Sequence, residues 1–153
     1  MTKGAGMGVP RLFAAACACA LGLLASAGWA DERLYSEGDV VSVEGIRTIY
    51  GHFDDYMKFL ATTWKQEMES AKAQGYILSY EVFTVDPRGP DDPDLYLVVR
   101  YKNWAALDGL REKMEALGQK LYGSSEAENQ GAIDRNKIRR PVGGQMLQSL
   151  KLK

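Results

Sequence analysis

Histidine and cysteine are nearly absent from this chain. Among 153 residues there is one His, His52, and two Cys, Cys17 and Cys19. A single imidazole makes multi-His metal sites and most His-dependent catalysis hard to build. An excess of charge is missing too. The 19 Lys and Arg against 20 Asp and Glu leave a formal −1, which gives no nucleic-acid signal. There is no internal repeat and no low-complexity tract. No phosphate loop is present either, because the closely spaced Gly4, Gly6 and Gly8 fall in an N-terminal leader. What remains is 46% hydrophobic and 25% charged, the composition of one globular domain.

The first thirty residues read as an address. Lys3 and Arg11 are followed by the uncharged run Leu12 to Ala25 and then by the small residues Ala25-Ser26-Ala27 and Gly28-Trp29-Ala30. That order is a secretory signal peptide, with cleavage expected after Ala30 or, alternatively, after Ala27. The apolar run is short of the roughly 20 residues that span a bilayer. No later segment is apolar enough to do so, so no membrane span is expected in the mature chain. Ala14 and Ala16 stand where a lipoprotein signal would place Leu before Cys17 or Cys19, which argues against lipidation. The leader takes two basic residues, no acids and both Cys. The mature chain, residues 31–153, is therefore expected as a single periplasmic or secreted domain, weakly acidic and held by packing alone.

The mature chain alternates strand and helix signals. Asp39 to Tyr50 is rich in Val and Ile and reads as a first strand. Phe53, Met57, Leu60, Trp64, Met68 and Ala71 recur at helical spacing. They predict one helix over 53–74, with Asp54 and Asp55 at its positive end and Gly75 as its cap. Tyr76 to Asp86 and Leu95 to Lys102 read as two strands around a tip that holds Pro87, Pro90 and Pro93. Leu107, Leu110, Met114, Leu117 and Leu121 give a second helix, capped by Asn103 and ended by Gly123. A short helix is allowed near Ser125, and Gln145 to Lys153 reads as the last strand. The order β-α-β-β-α-β predicts an α+β, ferredoxin-like fold: a four-stranded antiparallel sheet with two helices on one face.

Two helices cover only one face of such a sheet, yet the strands are apolar on both. In the third strand Leu95, Leu97, Val99 and Tyr101 point one way, and Tyr96 and Val98 the other. In the second, Leu78, Tyr80 and Val82 oppose Ile77, Phe83 and Val85. The bare face needs a cover. The expectation is a homodimer packed sheet to sheet; the rival is a monomer whose 124–140 segment folds over that face.

With this element order, the twin-faced strands and the stretch Gly51-His52-Phe53-Asp54-Asp55-Tyr56-Met57-Lys58-Phe59-Leu60, the chain from about residue 40 onward resembles the dimeric α/β-barrel superfamily. The resemblance implies two ferredoxin-like subunits joined through their sheets. Members include cofactor-independent oxygenases of aromatic polyketides, haem-degrading enzymes, muconolactone-type isomerases and stress-response proteins, so the fold alone assigns no reaction. The haem degraders place their ligand His on the other helix, where this chain has none. No metal and no cofactor is therefore expected.

His52 lies between the first strand and the first helix, where a neutral imidazole can act as a base or a hydrogen-bond donor; its plain alternative is a capping residue. Tyr50, His52, Tyr56, Trp64, Tyr80 and Tyr101 are the candidate ligand-binding residues, since Tyr and Trp offer an apolar body with a polar tip. Tyr96 and Trp104 belong to the same aromatic set, whose plain alternative is packing. Asp54 with Asp55, and Asp91 with Asp92, read as helix-end and turn charges rather than an acid–base pair. Arg135, Lys137, Arg139 and Arg140 suit an anionic ligand or an acidic partner, or else form a solvated run. Ser124 and Ser125 lack a nucleophile-elbow context. The leading expectation is an exported homodimer that binds a small apolar or aromatic ligand between sheet and helices. A cofactor-independent oxygenase or isomerase using His52 and a Tyr is the alternative, followed by a structural or partner-binding protein with no ligand. Nucleic acid is not an expected partner.

Overall fold

The computed structural model describes residues 33–153, so the leader assigned to residues 1–30 lies outside the described residues. The described residues are α+β, with a four-stranded antiparallel sheet and three helices, the first of them made of two α-helical segments joined by a π turn. Strand β1, Tyr35–Thr48, leads into helix α1, Phe53–Phe59, which continues through a π-helical turn at Leu60–Trp64 into α2, Lys65–Ala73. Strands β2, Ser79–Thr84, and β3, Leu95–Tyr101, come next. A short 3₁₀ turn at Trp104–Leu107 precedes α3, Leu110–Tyr122, and α4, Ser125–Arg135, before the last strand β4, Arg139–Leu152. The strands lie in the order β2-β3-β1-β4. No helix among the described residues is long and apolar enough to cross a membrane.

Several boundaries depart from the sequence reading, each for a local reason. The single helix expected over 53–74 contains the π turn. A π turn inserts one extra residue and rotates the downstream helix by about one helical step. Tyr56 before the turn, Leu60 at its start, and Met68 and Ala71 after it all face the sheet side of the helix and are buried. Phe53, expected on the buried face, is exposed at the helix start. The second helix is also divided. Asn103 caps the 3₁₀ turn by accepting from Ala106 N–H at 3.0 Å. Gly109 then adopts φ +62°, a left-handed conformation that costs other residues about 1–2 kcal/mol, and α3 starts beyond it. β4 begins at Arg139 rather than at Gln145. As an edge strand it tolerates Pro141, and a bulge opposite Gly45/Ile46 absorbs Val142. β1 likewise starts early, because Tyr35 to Glu37 pairs with Leu150 to Leu152.

The core lies on one side of the sheet. Ile46, Leu95 and Leu97 pack with Tyr56 and Leu60, with Val82 and Phe59 around them. Met68, Ala71, Ile77 and Leu117 form a second cluster flanked by Tyr80, Val99 and Tyr101. Simple alternation assigns Ile77 to the face of Phe83. It precedes the first ladder pair of β2 and turns toward the helices instead, and Leu78 is exposed. Register puts Phe83, Tyr96, Val98, Val43, Val41 and Leu147 on the opposite, outer face. No described helix covers them. The 124–140 segment, the monomer's expected cover, forms α4 and packs on α3, with Arg135 over the Phe59 ring.

Candidate functional site

The chain turns sharply between β1 and α1. His52 N–H donates to the Ile49 carbonyl at 2.9 Å, and Gly51 has φ +86°. This is a four-residue turn with glycine at its third position, the type II geometry that demands positive φ there. Tyr50 occupies the turn tip and its side chain is fully exposed. His52 closes the turn and caps α1, its carbonyl accepting from Tyr56 N–H at 3.0 Å.

Beside this turn lies a cleft of about 450 Å³ lined by Arg47, Thr48, Ile49, Tyr50, Gly51, Phe53, Pro90, Asp94 and Arg140. That size falls in the range of small-molecule sites. The β2–β3 loop forms one wall and is tied down by polar contacts. Asp94 accepts from Thr48 N–H at 3.1 Å and from Thr48 Oγ1 at 2.6 Å. Arg47 Nη1 donates to the Asp92 carbonyl at 3.3 Å, and Arg140 Nη2 to the Pro90 carbonyl at 3.3 Å and Asp91 Oδ1 at 2.7 Å. Asp92 accepts from the Arg88 and Gly89 N–H groups of the same loop. Ile49, Tyr50 and Phe53 give the cleft exposed apolar surface.

His52 borders the cleft in sequence. Its Nδ1 lies 2.8 Å from Asp55 Oδ2. A carboxylate accepts, so Nδ1 is the donor in this pair. Asp54 is exposed at the helix start.

The remaining candidates lie elsewhere. Tyr56 is 1% exposed, stacked on Phe59 with ring centroids 5.8 Å apart. Burial pushes its hydroxyl pKa up and Glu44 adds to this, while Arg139 and Arg135 oppose it. Trp64 meets Tyr80 edge to face at 5.2 Å. The Tyr80 hydroxyl donates to Glu69 Oε1 at 2.5 Å, and chiefly this bond pushes its pKa up to about 12. Tyr101 borders the same helix-side cluster, its pKa raised by burial. Trp104 is half exposed and donates from Nε1 to Gln148 Oε1 at 3.0 Å. The six candidates are thus dispersed: Tyr50 lines the cleft, His52 follows it in the turn without lining the cleft, Tyr56 is in the core, and Trp64, Tyr80 and Tyr101 lie together toward the other end of the sheet.

The basic run is likewise dispersed. Arg135 lies 4.8 Å from the Phe59 ring centre and Arg139 6.0 Å from that of Tyr56. Lys137 pairs with Asp134 at 2.6 Å, and Arg140 lines the cleft. Arg139 Nε is buried and has no hydrogen-bond partner among the described residues. At the α2, α3 and α4 junction burial raises the pKa values of Glu67 and Tyr122, Glu128 adds to both and Glu67 to that of Tyr122, and Arg135 opposes them. Ser124 accepts from Ala127 N–H at 3.2 Å as the cap of α4. Among the described residues no cluster of three or more His, Cys, Asp or Glu is placed to hold a metal ion.

Sequence reasoning misses Arg47, Ile49, Phe53 and Asp94 as cleft residues. It places Ile49 in a strand and Phe53 on a buried helix face. Arg47 is findable only through its register partner, Arg140. No protein-family model, curated protein or solved structure matches the chain.

Proposed function

We propose that this chain is an exported, ferredoxin-like protein of the dimeric α/β-barrel kind, which pairs through its outer sheet face and binds a small aromatic ligand in the Ile49–Tyr50–Phe53 cleft. The observation that carries the dimer is the bare outer face. Phe83 is 48% and Leu147 46% exposed there, beside the partly exposed Val43 and Tyr96, while Val41 and Val98 between them are already buried by their neighbours. The one internal segment that was a rival cover packs on the helix side instead. An interface of ordinary size buries about 800 Å² per subunit, within reach of a four-stranded face. The strand order β2-β3-β1-β4, with helical connections after β1 and after β3, supports the ferredoxin-like reading. For the ligand, the support is a cleft of suitable size whose apolar surface comes from a fully exposed Tyr50, a half-exposed Phe53 and Ile49.

Native mass spectrometry of the exported protein, alone and with added aromatic probes, tests both parts together. The expected spectrum shows twice the mature mass with a small-molecule adduct on part of the population. A monomer at micromolar concentration ends the pairing proposal. A protein that carries no adduct and takes up no aromatic probe ends the ligand proposal.

One contact favours a second reading, an enzyme. The 2.8 Å His52–Asp55 pair holds an imidazole between the cleft-lining residues Gly51 and Phe53 in sequence, and an oriented imidazole is what a general base requires. On that reading His52→Ala abolishes turnover of a substrate found to occupy the cleft, and leaves its binding intact.

A further inference from the structure

Arg47 and Arg140 stand directly opposite each other across the antiparallel β1–β4 pair, on the same face, and both line the cleft. Like charges in that relation repel and destabilise a sheet. The chain compensates them only in part. Arg140 shares one ion pair with Asp91, whose side chain is 85% exposed, and such surface pairs contribute little. Arg47 has no carboxylate partner among the described residues and donates only to a backbone carbonyl at 3.3 Å. Asp94, the one acidic residue lining the cleft among the described residues, is already engaged by Thr48 through its N–H and its hydroxyl. Two guanidinium groups therefore flank an apolar cavity with hydrogen-bonding capacity to spare.

The geometry points to a flat aromatic molecule bearing a carboxylate as the occupant of this cleft, with its ring against Tyr50, Phe53 and Ile49 and its carboxylate between Arg47 and Arg140. A carboxylate matches the guanidinium fork through paired N–H···O bonds and relieves the repulsion between the two arginines. A singly charged head is favoured over a dianion, because Asp91 and Asp94 already place negative charge at the rim. The inference rests on the proposal that the cleft binds an aromatic ligand, and it names the chemical class.

Calorimetric titration of the purified chain with 2-naphthoate and with 2-naphthylmethanol, which share a ring system and differ in charge, tests it. At low salt the naphthoate is expected to bind about tenfold or more tightly than the alcohol, an advantage that shrinks as salt is added. Arg47→Gln removes most of that advantage and leaves the alcohol unchanged. Arg47→Lys retains part of it, since the charge persists without the fork. Tyr50→Ala weakens both probes alike. Equal binding of the two probes by the unaltered chain, or an undiminished naphthoate preference in both Arg47→Gln and Arg140→Gln, overturns the carboxylate assignment and leaves the aromatic reading standing. Failure of both probes to bind overturns the two together. Circular dichroism of each variant, matched to the parent, confirms that the fold is retained, and Arg47, tied to one carbonyl, is the substitution that leaves the loop contacts of Arg140 in place.

Discussion

Phe83→Glu is the substitution that separates pairing from folding. Phe83 lies on the outer sheet face opposite Tyr96, away from both core clusters, and is 48% exposed in the single chain. A phenylalanine side chain offers about 200 Å² of surface, so about 100 Å² of it is bare. Covering that area at about 25 cal/mol per Å² gives about 2.5 kcal/mol for each subunit, or about 5 kcal/mol for a symmetric pair. Glutamate forfeits that gain and adds the cost of desolvating a carboxylate. The dimer dissociation constant is then expected to rise by about 10³-fold or more. The monomer loses only about 1 kcal/mol, as is usual for a half-exposed position. Leu97→Asp is the contrast. Leu97 neighbours these residues in sequence but is buried among Ile46, Tyr56, Leu60 and Leu95, so a carboxylate there prevents folding outright. Sedimentation velocity with urea unfolding distinguishes the two effects. A Phe83→Glu chain that dimerises as tightly as its parent, or a parent that sediments as a monomer throughout, refutes the reasoning.

Three other perturbations concern the helix layer and the turn. Burial, then the charge of Glu128, raises the pKa of Glu67 above its ordinary value, with Arg135 opposing. A raised carboxyl pKa means that the native state holds the proton longer, so this group's contribution to stability falls as pH rises from the unfolded pKa through the folded one. Glu67→Gln should therefore flatten the stability profile above about pH 4.5 and raise stability near neutrality, read by urea midpoints across pH; an unchanged profile counts against a partly buried Glu67. At Gly118 an added Cβ meets the Glu128 carboxylate at 2.8 Å, the far end of a flexible side chain. Gly118→Ala is thus expected to gain up to about 1 kcal/mol of helix propensity as Glu128 swings away, and a clear loss in thermal unfolding shows Glu128 to be fixed. His52→Ala removes an exposed side-chain hydrogen bond to Asp55 and should change stability by less than about 1 kcal/mol without altering the sedimentation coefficient.

The parts legible in the sequence are those that periodicity and punctuation encode. Apolar spacing marks the helical region starting at Phe53, Gly123 marks the end of α3, and the Pro87 to Pro93 cluster marks the loop before β3. Alternation along Leu95 to Tyr101 already separates the helix-facing residues from Tyr96 and Val98. Periodicity fails where helix geometry changes. A π turn leaves no compositional trace in Leu-Ala-Thr-Thr-Trp, so the division of the helix there is unreadable, while Tyr56, which widens the apolar face in the sequence, is buried as that spacing implies and Phe53 is not. The start of β4 is hidden for another reason. Arg139 to Gly144 lacks strand propensity and extends only because β1 offers it a ladder. The cleft depends on that same pairing. Arg47 meets Arg140, and Thr48 meets Asp94, across more than forty residues of chain, and only register brings them together. His52 and Tyr50 can be singled out by residue type, while the cation pair beside them cannot.

The two proposals also constrain each other. Alternation from Ile46, which faces the helices, turns Arg47 and Arg140 to the outer face, at one end of the apolar band formed by Val41, Val43, Val98 and Leu147. An apolar centre with a charged rim is the usual anatomy of a protein interface. The aromatic cleft therefore opens beside the proposed contact surface, and occupancy of one should bias the other. Thermodynamic linkage makes any such bias reciprocal: if pairing strengthens 2-naphthoate binding by some factor, 2-naphthoate tightens the dimer by the same factor. Phe83→Glu supplies the monomeric reference, because Phe83 does not line the cleft. Titrating that variant alongside its parent, and sedimenting the parent with and without 2-naphthoate, gives two independent values for one coupling. Two values that disagree show that the naphthoate site and the pairing surface are not the ones described.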